Sequence, residues 1–183
     1  MKKLAFIILL LLVSCKDNST LGNNYYYLTR YEAEDNGYPY GSIIYKSKQK
    51  NLYSKIIIYS DVIKVKSNKN YIITMQKPNI NILKSIIKDD ITFWKEHYLK
   101  TKKDSIVILS YDTISLKKIS KLLINSKSID SIIKNKEPYS SMLKQKHSNN
   151  YYIIDKNKNI VIGPLTKYNF EKIKLQMSIK LDF

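Results

Sequence analysis

The sequence predicts an α+β fold: a small antiparallel β-sheet, a helical middle section, and a C-terminal β-hairpin followed by a helix. Three observations carry that expectation. Short runs rich in Ile, Val and Tyr, separated by turn-forming residues, occupy positions 42 to 76, which is strand patterning. From Ile82 to Tyr98 apolar residues recur at three- and four-residue steps, which is helical patterning. The tail YYIIDKNKNIVIGPLTKYNFEKI, Tyr151 to Ile173, joins two β-rich runs through a polar turn and then changes to helical character.

Taken in order, the chain opens with Lys2 and Lys3 and an apolar run from Leu4 to Val13. A bilayer-spanning helix needs about 20 apolar residues, whereas a secretory signal needs roughly 7 to 15. Residues 1–14 therefore read as a signal peptide, with Ser14 and Cys15 flanking the cleaved bond. Leu12, Val13, Ser14 and Cys15 resemble the bacterial lipobox: aliphatic, variable, small, then cysteine. The small Ser14 admits the bond to a narrow peptidase site, and the Cys15 thiol can take a diacylglyceryl group through a thioether. Each buried methylene contributes about 0.8 kcal/mol, so two or three acyl chains make a lasting anchor. Lys16 and Asp17 are similar to the short signal that sends some lipoproteins to the outer face of the outer membrane. The expected location is the bacterial cell envelope, lipid-anchored at the outer membrane and surface-exposed.

Residues 15–24 read as the lipidated cysteine and a polar tether, and 25–183 as one α+β domain of ordinary size. Tyr25 to Tyr31 suggests a first strand, and Glu32 to Gly41, dense in Asp, Asn, Gly and Pro, a loop. Strands are expected at Ser42 to Ser47, Lys55 to Tyr59, Val62 to Lys66 and Tyr71 to Gln76, the last two joined as a hairpin. Ile82 to Tyr98 forms one amphipathic helix or a broken pair, and Ser105 to Ser110 a buried strand. Asp112 or Thr113 caps a helix carrying Leu116, Ile119, Leu122 and Leu123, and Ile129, Ile132 and Ile133 mark another short helical turn. The section 79–148 is thus mainly helical. In the tail, Gly163 and Pro164 stop the second strand, and Thr166 caps a final helix with Phe170, Ile173, Leu175 and Met177 on its apolar face.

That tail resembles the C-terminal signature of a family of small bacterial lipoproteins of unknown function. Tyr151, Tyr152, Ile153, Ile154, Asp155, Lys156, Gly163, Pro164, Leu165, Thr166 and Phe170 fit its pattern, and Ile56 to Gln76 is similar to the family's earlier strands. The likeness implies the lipoprotein assignment and the fold, and implies no active site. It does not extend over Asn79 to Ser148, which looks added or diverged.

The formal charge of +17 is made almost wholly by lysine, since Arg30 is the one arginine among 32 basic residues. Recognition of phosphates and bases favours the bidentate guanidinium. A nucleic-acid partner is therefore not expected, although the charge can draw the domain toward anionic lipid or polysaccharide. His97 and His147 are the two histidines and lie on different segments, so no metal is expected; the sequence calls for no cofactor. Asp89 and Asp90 are adjacent, and side chains about 100° apart on a helix do not converge on one substrate. They read as helix surface.

Sixteen tyrosines remain. Tyr25, Tyr26, Tyr27, Tyr38 and Tyr40 form a candidate binding surface if they share one face, because exposed tyrosine offers rigid, partly polar contact area; otherwise they fill a β core. The function these features call for is an envelope-anchored, non-enzymatic binding protein, in its sharpest version an immunity-type lipoprotein that neutralises a toxin. An envelope hydrolase with a dispersed site and a structural envelope lipoprotein are the alternatives.

Overall fold

The computed structural model describes residues 19–35, 41–50, 52, 55–109, 111–144 and 148–183. It bears out the α+β class, with two four-stranded antiparallel sheets in place of one small sheet. The first sheet has the order β1-β2-β3-β4, with β1 at Thr20–Gly22, β2 at Tyr25–Leu28, β3 at Ile43–Lys46 and β4 at Lys55–Ile58. In the second, β5 (Val62–Ser67), β6 (Tyr71–Gln76), β9 (Asn150–Asp155) and β10 (Ile160–Leu165) are arranged β10-β9-β6-β5. The tail hairpin thus pairs with a strand more than seventy residues earlier, Gln76 opposite Asn150, Ile72 opposite Ile154 and Tyr71 opposite Asp155.

Side-chain alternation along each strand builds the layers. Tyr25, Ile44 and Ile58 from the first sheet meet Val62, Ile72, Tyr152 and Ile154 from the second in one shared core. The opposite face of the first sheet, with Leu28, Ile43 and Tyr45, packs on Ala33 of α1 (Arg30–Asp35). The opposite face of the second, with Ile73 and Ile153, packs on Phe170 of α6 (Lys167–Gln176) and on Ile179. Thr166 caps α6 as the sequence suggests, its hydroxyl accepting from the Asn169 amide at 3.2 Å.

The middle section forms its own apolar cluster. One unbroken helix, α2 (Ile80–Thr101), capped by Asn79, contributes Leu83, Ile86, Ile87 and Ile91. A ribbon of β7 (Ile106–Ile108) and β8 (Thr113–Ser115), then α3 (Leu116–Ser120), α4 (Ser126–Asn135) and α5 (Tyr139–Leu143) complete it. Among the described residues no helix is long and apolar enough to cross a membrane.

Several local expectations need correction. Residues 20–22, placed in the tether, are an edge strand, because Leu21 is buried in the core between the sheets. Arg30–Asp35 is helical where a strand end and a loop were expected: Thr29 and Glu32 make a capping box, with the Thr29 hydroxyl accepting from the Glu32 amide at 3.2 Å and the Glu32 carboxylate accepting from the Thr29 amide at 3.1 Å. The strand expected over Ser105 to Ser110 is shorter and only partly buried: β7 spans Ile106–Ile108, Val107 and Leu109 are buried while Ile106 and Ile108 are 66% and 84% exposed, and Ser110 lies outside the described residues. Asp112 and Thr113 cap nothing helical; Ser115 caps α3, and Leu122 and Leu123 lie beyond it. Gly163 and Pro164 interrupt the pairing register of β10 without ending the strand. Leu175 is 81% exposed and does not belong to the apolar face of α6.

Candidate functional site

Ser14 and Cys15, on which the anchoring expectation rests, lie outside the described residues, as do Tyr38, Tyr40 and His147. The remaining candidate tyrosines do not share an exposed face. Tyr25 is fully buried between the sheets, its hydroxyl donating to Asn159 Oδ1 at 2.6 Å and its ring lying 4.8 Å from the Lys46 ammonium. Burial and then the Asp155 carboxylate push its phenol pKa upward. Tyr26, one residue on, points to the other side of the sheet and stacks on Tyr45 at 5.2 Å. Tyr27 returns to the inner side, half-buried, its hydroxyl 3.4 Å from the Val62 carbonyl. Period-two alternation of the strand is the cause, and these three residues mainly fill the two layers of core around the first sheet.

His97 stands exposed on α2 against Trp94, with ring centroids 5.8 Å apart. Among the described residues no group of three or more His, Cys, Asp or Glu side chains is arranged to hold a metal. The Asp89–Asp90 pair divides as the helix geometry requires: Asp89 is exposed, while Asp90 is half-buried. Desolvation, reinforced by the neighbouring Asp89 charge, pushes the Asp90 carboxyl up to about 6. The Tyr111 phenol is raised to about 12 by burial first and by the Asp90 and Asp112 charges after it. Its hydroxyl is buried without a hydrogen-bond partner.

Three surfaces were not visible in the sequence as surfaces. The first is the outer face of the β7–β8 ribbon, where Ile106 and Ile108 stand side by side on alternate positions of one strand. The two side chains leave adjacent aliphatic area in water on a short ribbon. The second is a cleft of about 470 Å³ between α2, α4 and α5, floored by Ile80, Ile133 and Leu143 and rimmed by Lys84, Lys134 and Lys144. Asp130 occupies part of that rim through a 2.7 Å ion pair with Lys84.

The third lies at the end of the sandwich where the β1–β2, β3–β4, β5–β6 and β9–β10 connections gather. Hydrogen bonds tie the turns together: Asn23 Nδ2 donates to the Lys156 carbonyl at 3.3 Å, the Lys46 ammonium to Asn159 Oδ1 at 2.6 Å, and Asn157 Nδ2 to Asn70 Oδ1 at 3.3 Å. Lys156 is itself buried and donates to the Leu21 carbonyl at 2.7 Å, with Ser67 Oγ at 3.2 Å. Desolvation pushes its pKa down. The opposite end is where the helical section attaches, through Gln76. Its amide nitrogen donates to the Tyr59 carbonyl at 2.7 Å and lies 2.8 Å from Met142 Sδ, and its Oε1 accepts from Asn150 Nδ2 and the Tyr152 hydroxyl, both at 3.0 Å. Asn150 Nδ2 also donates to the Met142 carbonyl at 2.8 Å.

No family model, curated protein or solved structure matches the chain.

Proposed function

We propose that the chain is an envelope lipoprotein, anchored through acylated Cys15, whose folded domain is a non-enzymatic interaction protein of the immunity type. The observation that carries the reading is the run Leu4 to Val13 ending in Leu12, Val13, Ser14 and Cys15. It is too short to span a bilayer and it places the one cysteine of the chain where a lipid-transferring enzyme needs it. The exposed Ile106 and Ile108 support the binding half of the reading, because an aliphatic pair left in water is stabilised when a partner covers it.

Detergent-phase partitioning of the full-length protein and of Cys15→Ser, both expressed in a lipoprotein-processing bacterium, tests the anchor. The native chain enters the detergent phase and the variant stays aqueous or keeps its signal. Equal partitioning of the two refutes the reading.

A further inference from the structure

Every connection at the turn end of the sandwich carries lysine except the one between β1 and β2. Segments 46–55, 66–71 and 155–160 together hold eight lysines and a single acidic residue. That residue, Asp155, is buried and occupied, accepting from the Asn157 and Lys158 amides at 3.0 Å each. Lys46 and Lys156 are engaged in the fold, whereas Lys48, Lys55, Lys66, Lys69 and Lys158 are exposed. The opposite end mixes the signs: α1 brings Glu32, Glu34 and Asp35 there against Arg30, which is already paired with Glu34 at 2.8 Å. The helical section attached there interleaves 14 lysines with seven acidic residues over 79–148, among them the ion pairs Lys84–Asp130 and Lys136–Asp112.

We propose that this lysine-bearing turn end is a docking face for the anionic lipid headgroups of the membrane that carries the chain, holding the helical section away from it. The proposal rests on the anchored reading above, and it turns on reach and charge. Four residues separate Cys15 from Ser19, at most about 14 Å of extended chain. The Ser19 carbonyl accepts from the Tyr27 amide at 2.7 Å, near the middle of β2, and Tyr25 at the turn end lies two residues, about 7 Å, away. Either end of the sandwich is therefore within reach of the anchor, and the turn end is the one whose lysines have no exposed carboxylate among them. Lysine suits this role: a headgroup layer is diffuse and mobile, so flexible point charges engage it without the fixed fork that arginine offers.

Flotation of the full-length Cys15→Ser chain with lipid vesicles tests the face apart from the acyl anchor. The quantity read is the ratio of binding to phosphatidylcholine vesicles containing a third of phosphatidylglycerol over binding to phosphatidylcholine alone. The uncleaved signal, which carries Lys2 and Lys3, is common to every variant and cancels when the variants' ratios are compared with one another. Two quartets of lysines remove the same charge: Lys48, Lys55, Lys69 and Lys158 to Gln at the turn end, or Lys100, Lys103, Lys117 and Lys121 to Gln in the helical section, all exposed. Each headgroup-facing lysine is worth about fivefold. The turn-end quartet is expected to lower the ratio at least tenfold and the helical quartet no more than about twofold, with circular dichroism showing both folded. An equal drop for the two quartets, which would make the attraction a matter of net charge, overturns the proposal. So does a native ratio near one, or binding to a soluble acidic polysaccharide with no preference for anionic vesicles. Failure of acylation shows in the detergent partition and leaves this ratio unaffected, so the two claims fail separately.

Discussion

At one end of the sandwich the strands close in polar turns that meet water, with eight lysines on three connections. At the other, β4, β6 and β9 run into Tyr59, Gln76 and Asn150 and continue as the buried joint to the helical section. The same two sheets thus end once in charge and once in a buried hydrogen-bonded knot. The contrast shows how one fold separates two tasks. Lysine turns are tolerant of substitution and act at a distance through their field, whereas the knot acts only through contacts and fails if one member is lost.

The largest effect is expected at the knot. Gln76→Ala leaves the Tyr59 carbonyl and the Tyr152 hydroxyl without the partner they share and takes from Asn150 its side-chain acceptor. A loss of about 4 kcal/mol in urea-denaturation stability follows from stranding several buried groups at once. Gly41→Ala comes next, because an added Cβ would meet Asp61 Oδ1, come within 2.9 Å of Ile82 Cδ1 and 3.1 Å of Ser60 Oγ. Overpacking of that kind costs about 2 kcal/mol, read by the same denaturation.

Asp90 gives a smaller effect with a definite pH sign. Its folded pKa, about 6, lies above the value near 3.9 of an unfolded aspartate. Between those values the folded state holds the proton that the unfolded state has lost, so stability falls as pH rises from about 4 to 6 and is level above. Asp90→Asn is therefore expected to stabilise the protein at pH 8 by about 1 kcal/mol, the full shift being discounted for the side chain's contact with solvent, and to have little effect at pH 4. Denaturation at the two pH values checks this. Smallest of all is the turn-end lysine quartet, whose replacement by Gln is expected to leave stability within about 0.5 kcal/mol while changing vesicle binding. A large destabilisation by that quartet would blur the distinction between the two ends.

Much of the fold was legible where local pattern and final environment agree. Tyr71 to Gln76 is a strand to the residue, and the period from Ile82 to Tyr98 marks α2 because its apolar stripe is what the neighbouring elements bury. The misreadings occur where a short element depends on distant contacts. Helix α1 buries only Ala33, which leaves no periodic apolar signal to read. The three residues of β8 look like a helix start and become a strand by pairing with β7. The site was less legible than the fold. Lysine content is plain in the composition, but its concentration at one end arises from sheet order, which brings segments 46–55, 66–71 and 155–160 together. Gln76 and Asn150 are separated by 74 residues and give no local sign of sharing a buried bond. Asp90 looks like helix surface in the sequence, yet it is half-buried and near enough to Tyr111 for its charge to raise that phenol.

The difference between the ends is tested most directly by their distances from the lipid surface. With Cys15 acylated, a cysteine introduced at Asn68 or at Leu123, both exposed, is the one free thiol for a spin label on the full-length protein in anionic vesicles. Relaxation by nickel held on the lipid headgroups should be strong for the label at residue 68 and weak for the label at residue 123. The difference should vanish when Lys48, Lys55, Lys69 and Lys158 are replaced by Gln. Equal relaxation at the two positions in the otherwise native chain, or stronger relaxation at residue 123, would contradict it.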